Sequence, residues 1–204
     1  MNVSWWYQEL LKVTITHASI DQDSLPVLIP CRVEEMYPEL SWERCHRMSR
    51  HRFLSPEQTS FFFRLKHDLL VTRERQFRLK KAPDPLCVHC RLTEDHTHII
   101  TCSHNSQVID PLLALLHDYM PGLTPEKTVC LDWDIEGTAA ELPLLWLTAI
   151  SLSFVWDRRK HNKAITYREC RAEIIGHWNL LLQTKLQNEA TVLDELIKNY
   201  FPQY

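Results

Sequence analysis

The chain has 204 residues, of which 45% are hydrophobic and 24% charged, a balance that excludes disorder for most of its length and fits one large or two small globular domains. Only three glycines occur, which argues against a glycine-rich phosphate cradle and against folds with many tight turns, leaving helices as the expected element. The formal net charge of -3 names no partner class, but residues 44–91 carry 12 Lys or Arg against 4 Asp or Glu, and the remainder 11 against 22, so one basic stretch lies between acidic flanks.

Residues 1–14 lack the charged start, apolar core and small-residue cleavage pattern of a secretory signal, so an intracellular location, nuclear or cytoplasmic, is expected, with the seven cysteines reduced. Residues 1–54 read as an N-terminal helical segment: a short helix over 1–13 carrying Trp5, Trp6, Leu10 and Leu11, and a second over 41–52 that sets Arg44, Arg47 and His51 on one face. Residues 55–105 read as a basic helix followed by a metal-binding module. Ser55-Pro56-Glu57-Gln58 supplies a hydroxyl N-cap, a proline at the first helical position and a glutamine at N3, opening a helix that buries Phe62, Leu65 and Leu69. Thr72 begins a further basic segment, Arg73, Arg75, Arg78, Lys80 and Lys81, which Ala82-Pro83-Asp84-Pro85 brings to an end.

Residues 106–204 read as a C-terminal helical domain. Asp110-Pro111 predicts a helix start ahead of Leu112, Leu113, Leu115 and Leu116, closed by a turn at Pro121-Gly122. The apolar run over 142–156 is shorter than the roughly 20 residues a membrane helix needs, so a buried core helix is expected, with Arg158-Arg159-Lys160 placed to suit the dipole at its end. Thr166-Tyr167-Arg168-Glu169 predicts a capping box and a helix through Leu186; Leu193, Leu196, Ile197 and Tyr200 define the last helix, over 191–200.

Chemistry concentrates between these helices. Cys87 and Cys90 form a Cys-x2-Cys pair, whose two intervening residues let the backbone fold round one ion, and Cys102 follows at a distance with Glu94, His96 and His98 between. If residues 97–104 are helical, His98 and Cys102 stand at i and i+4 on one face, which makes His98 a better fourth ligand than His96; His89 and His104 are further candidates. The expected site is Cys87, Cys90, His98 and Cys102 around one structural Zn2+, with four protein ligands and no open position.

Enzymatic readings find no support in the sequence. A zinc deaminase needs an upstream His-x-Glu, whereas His46, His51 and His67 are followed two residues later by Met48, Phe53 and Leu69. His-Glu-x-x-His, Gly-x-Ser-x-Gly and Walker patterns are absent as well, and Asp132 and Asp134 read as ordinary surface residues. A non-enzymatic chain is expected.

The run Leu54-Ser55-Pro56-Glu57-Gln58, Phe62, Leu65, His67-Asp68, Leu70 and Thr72-Arg73-Glu74-Arg75, then Cys87, Cys90, Glu94, His98-Ile99-Ile100 and Cys102, resembles the zinc-binding region of non-LTR (LINE-type) retrotransposon reverse transcriptases. Pro143-Leu144-Leu145-Trp146 and Phe154-Val155-Trp156-Asp157-Arg158-Arg159 resemble the helical tail that follows it, so the likeness spans roughly residues 52–200. The family commonly sets its histidine and last cysteine one residue further apart than here. The resemblance implies binding of template RNA or target DNA near the end of a polymerase, while the Asp-Asp pair of the polymerase palm does not occur in these 204 residues.

These readings together predict a mainly α chain organised around a small Cys3His zinc module, a detached tail of a reverse transcriptase, working or remnant, that binds nucleic acid without catalysis. The expected phosphate contacts are Arg73, Arg75, Arg78, Lys80, Lys81 and Arg91, with Arg44, Arg47, Arg50 and Arg52 extending the basic stretch 44–91. The alternative is a zinc-scaffolded protein-interaction module, which exposed Trp5, Trp6 or Trp133 would favour. No membrane partner is expected.

Overall fold

The computed structural model describes residues 33–51, 54–134, 140–161, 163–182 and 187–200. All of them belong to one compact unit, residues 31–204. The helix expected over 1–13, with Trp5 and Trp6, lies outside the described residues, as does Arg52.

The fold is mainly helical. Its elements are α1 (Val33–Met36), α2 (Trp42–Ser49), α3 (Pro56–Lys66), α4 (Arg73–Arg78), α5 (His98–Thr101), a 3-10 turn (Ser103–Asn105), α6 (Ser106–Tyr119), α7 (Pro125–Cys130), α8 (Glu141–Lys160), α9 (Tyr167–Leu182) and α10 (Gln187–Tyr200). Extended pairing among the described residues is confined to one antiparallel bridge, Leu86 with Thr93. No helix among them is long and apolar enough to cross a membrane.

The centre is α8, buried on nearly every side from Pro143 to Leu152, which is why its sequence reads as a continuous apolar run rather than a stripe. Pro143 sits in its first turn, where a missing N–H costs no helical bond. α6, α9, α10 and α3 pack against it. On α6 the apolar face is Val108, Ile109, Leu112, Leu115 and Leu116, the i, i+3, i+4 spacing of an amphipathic helix. One core runs from Met48 through Phe62, Ile100 and Leu112 to Leu196.

The helix starts follow their caps unevenly. Ser55 accepts from the Gln58 amide at 3.2 Å while Gln58 Oε1 accepts from the Ser55 amide at 2.9 Å, completing the box expected there. Thr166 Oγ1 accepts from the Glu169 amide at 3.3 Å and donates to the Glu169 carboxylate at 2.7 Å. By contrast α6 begins at Ser106, not at Asp110-Pro111, and carries Pro111 inside it. The carbonyl four residues back then loses its helical donor, and it belongs to the exposed residue Gln107, where water is at hand.

Tight turns exist despite the shortage of glycine. α3 and α4 both close in a Schellman pattern, with left-handed Asp68 (φ 51) and Lys80 (φ 57) at C′ and the 6→1 bonds Leu69 N–H to Arg64 O at 2.6 Å and Lys81 N–H to Gln76 O at 2.8 Å. Leu131 and Arg91 are also left-handed, a conformation that costs a non-glycine residue roughly 1–2 kcal/mol. The expectation drawn from three glycines therefore held for the fold class but not for the turns.

A second small core joins Val33, Leu40, Cys45 and Cys130. Beside it Lys66, 3% exposed, donates to the Cys45 carbonyl and to Ser49 Oγ at 2.7 Å. Burial lowers the lysine to about 8 and raises the Cys45 and Cys130 thiols to about 11 and about 12.

Candidate metal centre

Two short segments build the centre. In the first, Pro85 to Glu94 folds back on itself: the Cys87 amide donates to the Leu92 carbonyl at 2.7 Å, the Arg91 amide to the Cys87 carbonyl at 3.0 Å and the Glu94 amide to the Pro85 carbonyl at 2.9 Å. Arg91, at φ 64, makes the reversal. This brings Cys87 and Cys90 to one side of a knuckle, and the His89 amide points at Cys87 Sγ from 3.4 Å. In the second segment Asp95 Oδ1 accepts from the amides of Thr97 at 2.9 Å and His98 at 3.0 Å, which starts α5 and fixes His98. Ile99 and Ile100, both buried, pin α5 to the common core.

The Cys102 amide donates to the His98 carbonyl at 3.0 Å, so the i, i+4 register inferred from the sequence is present, but the helix is not continuous over 97–104. Cys102 leaves it in an extended conformation (φ -75, ψ 122). The following 3-10 turn is tied back by Asn105 Nδ2, which donates to the Ile99 carbonyl at 2.7 Å.

The ligand atoms of Cys87, Cys90, His98 and Cys102 all lie within 4.8 Å of one another, a cluster that could hold one metal ion. Cys102 Sγ is 4.0 Å from Cys87 Sγ and 3.9 Å from Cys90 Sγ, and Cys90 Sγ is 3.3 Å from His98 Nε2. The cysteines are free thiols. Cys87, His98 and Cys102 are buried, and Cys90 is partly exposed.

The other candidate histidines stand apart from this cluster. His96 is 4% exposed, its ring edge-on to Tyr37 at 5.4 Å and its Nε2 without a hydrogen-bond partner among the described residues. His89 and His104 are exposed and stack on each other at 3.9 Å.

A residue that sequence reasoning assigned to a helix end completes the surroundings. Arg159, near the end of α8, has a side chain 7% exposed whose Nη2 pairs with Glu94 Oε2 at 2.8 Å. The same guanidinium donates to Cys102 Sγ and to Cys87 Sγ, each at 3.4 Å. Burial works against ionising Cys87, but the Cys90 and His89 amides and Arg159 outweigh it and hold this thiol below its usual range. Burial dominates at Cys102 and lifts it to about 11. Burial, then Arg159, keeps His98 below the usual histidine range, so at neutral pH it is the neutral imidazole that can ligate.

The expected phosphate contacts divide into two groups. Arg73 lies 3.8 Å from Asp84, Arg75 donates to the Asp68 carbonyl, and Arg78 bridges Asp68 and Glu74, the latter at 2.7 Å. These three arginines tie the turn after α3 and the approach to the knuckle to α4. Lys80, Lys81 and Arg91 are exposed and form no ion pair among the described residues. In the extension of the basic stretch, Arg44 is held by Asp132 at 3.1 Å and Asp134 at 3.8 Å, while Arg47 and Arg50 are exposed.

Asp132 is not the surface residue expected. It is 7% exposed and accepts from Arg44 Nη1 at 3.1 Å and from the Ser41 amide at 3.2 Å. Trp133 is 1% exposed, so it offers no docking side chain. Val88 and Leu92, on the knuckle, are 59% and 60% exposed.

No family model matches the chain, and no curated protein or solved structure matches it.

Proposed function

We propose that the chain is a zinc-stabilised nucleic-acid-binding module, of the kind that the resemblance to the tail of a non-LTR reverse transcriptase implies, and that it binds without catalysing. The observation that carries this reading is the closed Cys3His cluster with exposed Lys80, Lys81 and Arg91 following α4 and within the knuckle.

Zinc suits the donor set. With Zn–S near 2.3 Å and Zn–N near 2.0–2.1 Å, a tetrahedron has sulfur–sulfur edges of about 3.8 Å and sulfur–nitrogen edges of about 3.5 Å. The sulfur separations of 3.9 and 4.0 Å and the sulfur–nitrogen separation of 3.3 Å are close to both. Thiolate and imidazole donors favour a borderline-soft ion over magnesium or calcium. Four protein ligands leave no position for water, so the ion would supply folding energy, not a reactive hydroxide.

On this reading RNA or DNA is held by phosphate contacts, and the six contacts expected around the knuckle reduce to Lys80, Lys81 and Arg91, because Arg73, Arg75 and Arg78 are spent on internal bonds. A second reading, a protein-interaction module, is favoured by exposed Val88 and Leu92 on the knuckle.

Native mass spectrometry of the reduced chain is expected to find one zinc. Anisotropy of a labelled single-stranded RNA should then fall with salt at a log-log slope of about -2, or roughly 0.7 for each of three contacts. A metal-free folded chain would remove the zinc centre, and binding indifferent to salt would favour the protein-interaction reading.

A further inference from the structure

Arg159 is remote in sequence from every ligand, yet its guanidinium reaches two of the three sulfurs. Nη1 lies 3.4 Å from Cys102 Sγ and Nη2 3.4 Å from Cys87 Sγ, and Nη2 also donates to Glu94 at 2.8 Å. The side chain is 7% exposed and that of Glu94 11%, so these charges face each other with little water between them. A solvating role at a helix end would leave the head group in water, and the neighbouring residues do that: Lys160 is exposed, and Arg158 pairs outward with Glu169 at 2.9 Å.

A divalent ion with three thiolates and a neutral imidazole carries one net negative charge, lodged on sulfur. Hydrogen bonds to charged acceptors are roughly twice as strong as neutral ones, and the planar guanidinium fork can span two acceptors where an ammonium presents a point charge. Groups beyond the ligands orient and tune a metal centre in this way.

We propose that Arg159 is a positioning residue of the metal centre, its fork bonded to the Cys87 and Cys102 thiolates and oriented by Glu94, so that α8 withdraws electron density from two sulfurs and keeps them unreactive. Cys90 makes no such bond and serves as the internal control. The inference rests on the metal reading above.

The test uses the full chain loaded with cobalt and, separately, with zinc. In the cobalt form, Arg159→Met removes two donors from sulfur, so the sulfur-to-cobalt charge-transfer band is expected at longer wavelength than in the parent chain. Arg159→Lys, which keeps the charge but not the fork, is expected between the two. In the zinc form, iodoacetamide followed by peptide mass spectrometry should show Cys87 and Cys102 alkylated about tenfold faster in Arg159→Met, with Cys90 unchanged. Should Arg159→Met not fold, the Lys variant decides alone, since a band identical to that of the parent chain overturns the proposal. Equal acceleration at all three cysteines overturns it too, because that pattern reports loosening of the whole site. A parent chain that takes up neither metal refutes the metal reading instead, a result distinct from a loaded parent chain whose variants do not differ from it.

Discussion

Lys80 and Arg91 allow binding and folding to be separated. Both are exposed, neither makes an ion pair among the described residues, and both sit in the left-handed region, at φ 57 and φ 64. Replacing them together by glycine removes two charges and two strained backbones at once. Relief of the left-handed conformation returns roughly 1–2 kcal/mol per residue, and the added freedom of glycine in the unfolded chain takes back about 0.4–1. The double variant should thus be between neutral and about 3 kcal/mol more stable, with its zinc intact. If both side chains contact phosphate, the salt slope on single-stranded RNA should flatten by about 1.4. Between 50 and 200 mM salt the parent chain would then lose about sevenfold more affinity than the variant. Anisotropy titrations at four salt concentrations, paired with urea unfolding, read both quantities on one preparation. An unchanged slope in a variant that folds at least as well would refute the phosphate assignment, and lost stability would refute the backbone argument.

Arg73→Gln, Arg75→Gln and Arg78→Gln combined should leave the slope nearly unaltered and lower stability by about 1–3 kcal/mol, because these side chains hold Asp84, Asp68 and Glu74; urea unfolding checks the loss, and a flattened slope would restore them as phosphate contacts. His98→Ala should abolish zinc binding by native mass spectrometry while His96→Ala retains it, since only the former belongs to the sulfur cluster; the reverse result would exchange their roles. Lys66→Met tests the buried amine, which is lowered from 10.5 to about 8 in the folded chain. Between those values the unfolded chain binds more protons than the folded one, so this lysine makes stability rise with pH there, and below about 8 it imposes a cost on the order of 3 kcal/mol. Cys45 and Cys130, raised to about 11 and about 12, act in the opposite direction above the ordinary thiol range, but they remain in both chains. Urea unfolding from pH 7.5 to 10.5 should thus show the parent chain gaining stability relative to Lys66→Met, and parallel curves would refute the buried-charge account.

What could be read in the sequence was local. Ser55 and Gln58, three residues apart, carry the whole of their capping interaction, and the Cys-x2-Cys interval carries the knuckle. His98 could be preferred to His96 from register alone, because a single turn between His98 and Cys102 preserves the i, i+4 relation even though the helix ends at Thr101. Side-chain partners brought together by the fold were not legible. Arg73 and Arg78 look like free cations until the turn at Asp68 and the loop at Asp84 are placed beside them, and Asp132 looks like a surface residue until Arg44, 88 positions away, is set against it. For Lys80, Arg91 and Leu131 the residue type points away from the left-handed conformation, which the fold imposes through the bonds that close each turn, whereas Asp68 is of a type that tolerates it. The one signal that could have found Arg159 is its place in the apolar helix: a cation after Trp156 on a helix buried on nearly every side must either leave the core or meet a negative partner.

That choice bears on what the metal centre is part of. Within residues 87–102 the buried apolar side chains other than cysteine are Ile99 and Ile100, and both belong to the core shared with α6 and α8. The knuckle has no core of its own, so on the proposed metal reading its folded state would need the ion and the helices together. Arg159 makes the dependence mutual. Its buried guanidinium is bonded to Glu94 and two sulfurs, and if loss of the ion let the knuckle open, a charge inside α8 would keep no partner, a situation that costs several kcal/mol unless the helix end moves into water. A knuckle that only decorated the helical core could be lost without consequence for α8. On the proposed metal reading, the ion, the knuckle and the end of the central helix would form one electrostatic unit, with the exposed cation of Arg91 carried on the knuckle.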